Sequence, residues 1–335
     1  VGIGGYHLNI SKTHYDWVII DEAARSTASE LAIAMQSGKR ILLVGDHKQL
    51  PPLYKDHNKS KLAMELGVTT KDIDFNKIYQ SDFARLFESP YGKQNGVTLT
   101  TQYRMAPEIG DLVSDVFYDG KLKNGNRHIP NIYQTAPIAF NSAVTWVDTS
   151  TLGSRSYHQQ QPRGTSLFNN SEANIVIDLL KQASEDSGFL ASLSSIVKKD
   201  EPALGVICMY AEQKRIIQQK FREHIWADEF KSLVKIDTVD SYQGKENRVI
   251  ILSVTRCDES ISAGFLSMPN RINVALSRAM DRLIIVGSST MWEKSNSDLP
   301  LGKSLDYIQS RSTHNNGYKV YGANKDFSLM GDENE

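Results

Sequence analysis

The sequence predicts an α/β protein built on parallel sheets with helices on both faces. Two observations carry this. Short β-branched runs ending in Asp, Gly or Thr recur along the chain, and continuous apolar runs without strict alternation suit strands buried on both faces. Segments of helical period fall between several of them, and strands alternating with helices make parallel sheets.

The runs, in order, are DWVII (16–20), RILLVG (40–45), GVTLT (96–100), VTWVD (144–148), LGVICM (204–209), VKIDTV (234–239), RVIILSV (248–254) and RLIIVG (282–287). The first helix lies in STASELAIAMQSG, where Thr27 stands three residues before Glu30 as a capping box and Gly38 closes the segment. In APEIGDLVSDVFYDG, Pro107 fits a first turn, and Ile109, Leu112, Val113, Val116 and Phe117 share one face. NNSEANIVIDLLKQ and AEQKRIIQQKF repeat the pattern. Two stretches, 54–80 and 150–171, read as irregular, the second as a mobile loop, and the residues from Ser312 read as a polar, poorly ordered tail.

A chain of 335 residues, 40% hydrophobic and 23% charged, is long enough for two domains of ordinary size. Its longest apolar runs fall far short of the roughly 20 residues that cross a bilayer as a helix. The net charge of −1 excludes a polybasic protein but is compatible with a local basic groove. Cys208 and Cys257 sit in strand-like surroundings without metal-ligand spacing, which favours a reducing, intracellular setting. A first residue of Val and the lack of a charged-then-apolar leader read as a segment of something longer.

Five strings carry candidate chemistry. DWVIIDEAARS ends a strand with Asp21 and Glu22, and open parallel sheets bind ligands beyond the carboxyl ends of their strands. A strand-end aspartate suits Mg²⁺ and a neighbouring glutamate suits polarising an attacking water. LLVGDHKQLPP ends a second strand in Gly45 and Asp46, with Gln49 able to reach a terminal phosphate; read alone, Asp46 caps its own turn. TTQYRMAPE offers Arg104 as a phosphate fork near a strand's carboxyl end and Tyr103 as a flat face for a base. IDTVDSYQGKENRVIILSVTR sets Thr238, Asp240, Ser241 and Gln243 on an inter-strand loop suited to a phosphate backbone, and Glu246 within reach of a ribose hydroxyl. NRINVALSRAMDRLIIVG delivers Arg278 near a helix end, seven residues after Arg271 and on the same helical face. Each string alone is as well explained by an ordinary turn, loop or solvated arginine.

Together, and in this order, the five strings resemble superfamily 1 helicases of the Upf-like branch, which includes senataxin-like RNA and DNA helicases. DEAA resembles motif II, GDHKQLPP motif III, QYRM motif IV, DTVDSYQGKE motif V and NVALSRAMDRLIIVG motif VI. Weaker strings, VGIGG at the start and GVICMYAEQ at 205–213, extend the similarity over roughly residues 1 to 290.

The resemblance implies RecA-like P-loop NTPase folds: a partial first domain over 1–95, a complete second domain over 96–311, and a polar tail over 312–335. It implies ATP with Mg²⁺ between two domains and single-stranded DNA or RNA as the track, travelled 5′ to 3′ by a monomeric motor in the cytoplasm or nucleus. By motif matching, Asp21 binds Mg²⁺, Glu22 activates water and Gln49 senses the γ-phosphate. Tyr103 stacks on the base, and Arg104 and Arg278 act as arginine fingers. Glu246 contacts the sugar, Thr238 the nucleic-acid backbone, and Tyr210 the strand.

Two departures accompany the match. Arg25 stands where the family often has glutamine. The phosphate loop, Gly, four residues, then Gly-Lys-Ser/Thr, is not in this sequence, since the Gly-Lys-Ser at 302–304 has Ser at 297 and no preceding strand. The expectation is therefore that upstream residues complete the ATP site, that this chain alone is inactive, and that residues 1–95 alone expose sheet edge and apolar surface. The competing reading is a non-hydrolysing nucleic-acid clamp derived from a helicase.

Overall fold

In the computed structural model the described residues are 15–52, 58–71, 81–162, 164–198, 201–324, 326 and 329. The chain divides into two compact units, Val1–Thr98 and Leu99–Glu335.

In the first unit β1 (Tyr15–Ile20) pairs in parallel with β2 (Gly38–Leu43), with Ile20 opposite Leu43. The helix Ala28–Met35 joins them. It begins as its sequence dictates: Thr27 accepts from the Glu30 amide at 3.4 Å while the Glu30 carboxylate accepts from the Thr27 amide at 2.8 Å, so two otherwise unpaired amides are satisfied reciprocally. Only Ala23, Ala24, Leu31 and Phe83 form the buried cluster here, among the described residues. The opposite face of the sheet carries Tyr15, Trp17 at 55% exposure, Ile19 at 65%, and Leu42. Among the described residues, the runs DWVII and RILLVG, read as strands buried on both faces, are thus covered on one face only. Part of the 54–80 stretch, read as irregular, forms a helix, Asn58–Glu65; 54–57 and 72–80 lie outside the described residues.

The second unit opens with β3 (Thr101–Gln102), paired in parallel with β4 (Lys123–Asn124). The run GVTLT at 96–100 is not a strand; Val97 and Leu99 stand exposed, and the pairing begins one residue later. Between β3 and β4 the helix Pro107–Tyr118 starts with Pro107 in its first turn and buries Ile109, Leu112, Val113 and Phe117, with Val116 partly covered. The main sheet follows: β5 (Val144–Asp148), β8 (Leu204–Cys208), β9 (Val234–Thr238), β10 (Asn247–Ser253), β11 (Ala279–Gly287) and β12 (Tyr318–Gly322), in the spatial order β12-β5-β11-β10-β8-β9, every pair parallel. Its centre is buried on both faces, as the unbroken apolar runs require.

Three expectations are corrected here. Residues 150–171, read as a mobile loop, form a 3-10 segment (Ser150–Ser156) and the antiparallel pair β6 (Gln159–Gln160) and β7 (Leu167–Phe168). The C-terminal stretch is no free tail as far as Gly322, because β12 hydrogen-bonds along β5. Arg271 and Arg278 do not share a helical face: the helix Pro269–Leu276 ends before Arg278, which stands past its C-cap Ser277.

Candidate functional site

In the first unit, Asp21 and Glu22 follow β1 and the Gly45–Gln49 turn follows β2, so parallel pairing brings both candidate loops to the same end of the sheet. Two backbone bonds tie them: the Val44 amide donates to Ile20 O at 2.8 Å and the Ala23 amide to Val44 O at 2.9 Å. Gly45 makes this approach feasible, since a Cβ there would stand 2.9 Å from the Ala24 nitrogen. Glu22 occupies the left-handed region, φ 53° and ψ 32°, a conformation costing a non-glycine residue on the order of 1–3 kcal/mol. Its amide is held by Asp21 Oδ1 at 2.8 Å, and both side chains are exposed. Strain of this kind persists where the surroundings enforce it, and here it aims two adjacent carboxylates away from the strand.

The Asp46 carboxylate receives the Lys48 amide at 2.9 Å and the Gln49 side-chain amide at 2.9 Å. The self-capping turn therefore forms, and it fixes the orientation of Gln49. Among the described residues no group of three or more His, Cys, Asp or Glu converges as a complete metal cage.

In the second unit the predicted residues fall into two groups. Arg104, Glu246 and Arg278 gather where β10 and β11 begin: Arg104 is ion-paired through Nε to Glu246, and its NH1 donates to Ser277 O at 3.4 Å. Sequence reading put Arg104 near a strand's carboxyl end; it does follow β3, but β3 lies outside the main sheet, and the arginine reaches the amino ends of β10 and β11. Arg278 is 2% exposed, its guanidinium donating to Val274 O at 3.0 Å, Lys245 O at 3.3 Å and Ser277 Oγ at 3.0 Å. Tyr103 is 68% exposed, and its ring lies against Gly125, where a Cβ would overlap it.

Sequence reading missed the residue that shapes this loop. Gln102 Oε1 accepts the amides of Arg104 at 2.9 Å and Met105 at 2.8 Å, while its Nε2 donates to Met105 O at 3.0 Å and Asn124 Oδ1 at 2.7 Å. A glutamine between a strand-like run and a candidate stacking aromatic was the available signal; it is the last residue of β3. The loop is anchored to β11 by the Ala106 amide, which donates to Met280 O at 2.7 Å; Arg127, beyond β4, donates to the same carbonyl and pairs with the buried Asp281.

Tyr210 and Thr238 form the other group, at the carboxyl ends of the adjacent strands β8 and β9, where Cys208 pairs with Thr238. Thr238 Oγ1 bonds to Ser241 Oγ at 3.3 Å, and the loop expected after it contains a short helix, Val239–Tyr242. A strand of five to seven residues separates the groups, roughly 20 Å at 3.3 Å per residue.

Two AAA domain family models match the chain, one over residues 78–290 and one over residues 1–57. The Regulator of nonsense transcripts 1 homolog of Neurospora crassa is 30% identical over 293 residues, covering 85% of this chain and 24% of that protein. The ATP-dependent helicase NAM7 of Saccharomyces cerevisiae is 29% identical over 306 residues, covering 87% of this chain and 28% of its own length. Among solved structures, an arterivirus nonstructural protein 10 (helicase) in complex with DNA aligns with 86% of this chain and 43% of its own, at 13% identity and a TM-score of 0.37, a likeness that carries no argument. The chain spans about a quarter of the length of the curated relatives it matches.

Proposed function

Because this chain belongs to the AAA domain family of Upf-like superfamily 1 helicases, we propose that it is the C-terminal motor portion of an ATP-dependent helicase or translocase acting on single-stranded DNA or RNA. The observation that carries the reading is the paired strand end of the first unit. Asp21 and the left-handed Glu22 stand beside a turn that presents Gln49, and two backbone bonds and a glycine hold the loops together. A solvated acid at an unremarkable strand end needs none of this.

The residues fit a magnesium nucleotide in their donor chemistry. Two exposed carboxylates meet the needs of a hard cation and of a water, and Mg²⁺ when bound offsets phosphate charge. Asp21 would hold the cation. Glu22 orients and deprotonates the attacking water, and Gln49, fixed by Asp46, hydrogen-bonds the terminal phosphate or that water. The phosphate loop is proposed to come from upstream residues of the same protein.

Arg104 and Arg278 neutralise charge developing on the transferred phosphoryl group, an effect worth about 10³–10⁵ in rate in known systems. Their present bonding gives them different costs of engagement. The partly exposed Arg104–Glu246 pair is worth about 0–1 kcal/mol and exchanges readily, whereas the buried Arg278 must leave its hydrogen bonds to Val274, Lys245 and Ser277. Releasing Glu246 frees its carboxylate for a ribose hydroxyl, and Tyr103 gives the base a stacking face. Tyr210 and Thr238 grip the strand. A monomer working in the cytoplasm or nucleus completes the reading.

Its test is Arg278→Ala and Arg104→Ala in the protein that carries this chain with its phosphate loop. Each should lower strand-stimulated ATP turnover by at least about a hundredfold with strand affinity retained. Turnover equal to wild type in both variants would refute the finger assignments.

A further inference from the structure

The hydrogen bonds inside the Gly45–Gln49 turn fix Gln49 relative to Asp46. Hydrolysis needs it fixed relative to Glu22, which stands on the other loop, because a catalytic group acts only from the right place. The helix Asp82–Glu88 packs against both loops. Phe83 is 8% exposed and shares the buried cluster with Ala23 and Ala24, the two residues that follow Glu22. Phe87 stands four residues further along the same helical face, its ring stacked with that of Phe83 at 6.1 Å and 10°. The His47 ring, from the middle of the Gln49 turn, lies 5.3 Å from the Phe87 ring at 34°. Three rings therefore form a layer, with the Glu22 loop against one end and the Gln49 turn at the other.

Phe87 is held from behind as well. The chain turns at Ser89 into the helix Pro90–Asn95, and Ser89 Oγ accepts the Gly92 amide at 3.1 Å. A Cβ at Gly92 would overlap the Leu86 carbonyl oxygen, and one at Gly96 would stand 3.2 Å from the Phe87 ring, so both glycines permit the return of the chain onto the end of the first helix. The ring that His47 meets thus has a fixed place. His47 Nε2 comes within 4.0 Å of a Glu88 carboxylate oxygen, but that carboxylate is exposed, and a pair of this kind is worth little. The ring contact carries the docking, at a separation where aromatic pairs attract.

We infer that His47 is a positioning residue for ATP hydrolysis: seated on Phe87, it holds the turn so that Gln49 stays in register with Glu22. The inference rests on the helicase reading. In this role His47 acts through Gln49 and makes no contact with the nucleotide. Its loss therefore weakens stabilisation of the transition state and spares ground-state binding of ATP, which separates kcat from KM.

The test is steady-state ATP turnover in the protein that carries this chain with its phosphate loop, at saturating oligothymidylate and, separately, oligouridylate. His47→Ala should lower kcat roughly ten- to a hundredfold, the scale of a misplacement by about 1 Å, with KM for ATP within about twofold of wild type. Phe87→Leu keeps apolar bulk and removes the ring; it should lower kcat similarly, and the double variant no further, since the two rings act as one contact. In a Gln49→Ala background, His47→Ala should cost nothing more. A merely structural histidine would lower the melting temperature, and its effect on kcat would multiply with that of Gln49→Ala. Wild-type kcat in His47→Ala, or losses that multiply with Gln49→Ala, would overturn the inference and leave the hydrolysis reading standing. Wild-type turnover in Gln49→Ala, or no turnover by the wild type, would count against that reading itself.

Discussion

Glu172→Gln should abolish a pH dependence of stability that the fold builds into the second unit. Glu172 is fully buried, and its carboxylate receives Ser253 Oγ at 2.7 Å and the Thr255 amide at 2.7 Å. Burial pushes its pKa up from 4.5 to about 8, against those two hydrogen bonds, which favour the charged form. The folded state therefore keeps a proton that the unfolded chain has released. The resulting stabilisation is fully present below pH 4.5 and is lost as pH rises through about 8. At about 1.36 kcal/mol per unit, the part lost between pH 6 and pH 8 is roughly 2 kcal/mol, equivalent to a fall of about 4–8 °C in melting temperature for a unit of this size. Scanning calorimetry of wild type and Glu172→Gln at both pH values measures it. The glutamine is neutral throughout, so the wild type should lose those degrees relative to the variant on going to pH 8. Parallel pH profiles in the two proteins would refute the claim that a neutral acid is held there.

Three further outcomes follow from the packing. Gly45→Ala drives a Cβ into the Ala23–Ala24 backbone and should destabilise the first unit by about 1–3 kcal/mol, read by urea melts followed by Trp17 fluorescence. Asp281→Ala leaves Arg127, Arg248 and Tyr133 without their buried acid and should cost about 3–5 kcal/mol in the second unit, seen as a lowered urea midpoint. Residues 1–95 produced alone should aggregate or melt without cooperativity, because Trp17, Ile19 and Leu42 lie exposed and, among the described residues, the buried cluster beside them is small; a sharp calorimetric transition would contradict this.

What the sequence made legible was local. The Thr27–Glu30 capping box, Pro107 in the first turn of its helix, and the apolar runs of β8, β10 and β11 are each set by residues within a few positions of one another, and each formed. What it concealed depends on distant partners. Tyr318–Gly322 reads as polar tail until β5, more than 160 residues earlier, supplies its hydrogen bonds. Val97 and Leu99 look like strand residues but meet no neighbouring strand. The order of the five motifs was sufficient to identify the family, yet it did not reveal Gln102 as the organiser of the Tyr103–Arg104 loop, because that role exists only through the Asn124 and Met105 contacts. Nor did it separate Arg104, Glu246 and Arg278 from Tyr210 and Thr238, which parallel pairing sends to opposite ends of the sheet.

The central claim is that Asp21 and Glu22 serve ATP hydrolysis coupled to a nucleic-acid strand. Its most direct test is ATP turnover by the protein carrying this chain with its phosphate loop, without nucleic acid, with single-stranded DNA and with single-stranded RNA, beside Glu22→Gln. Turnover that rises with at least one strand type and falls to background in the variant is the predicted result. Strand binding without turnover in the wild type would contradict it and leave a clamp.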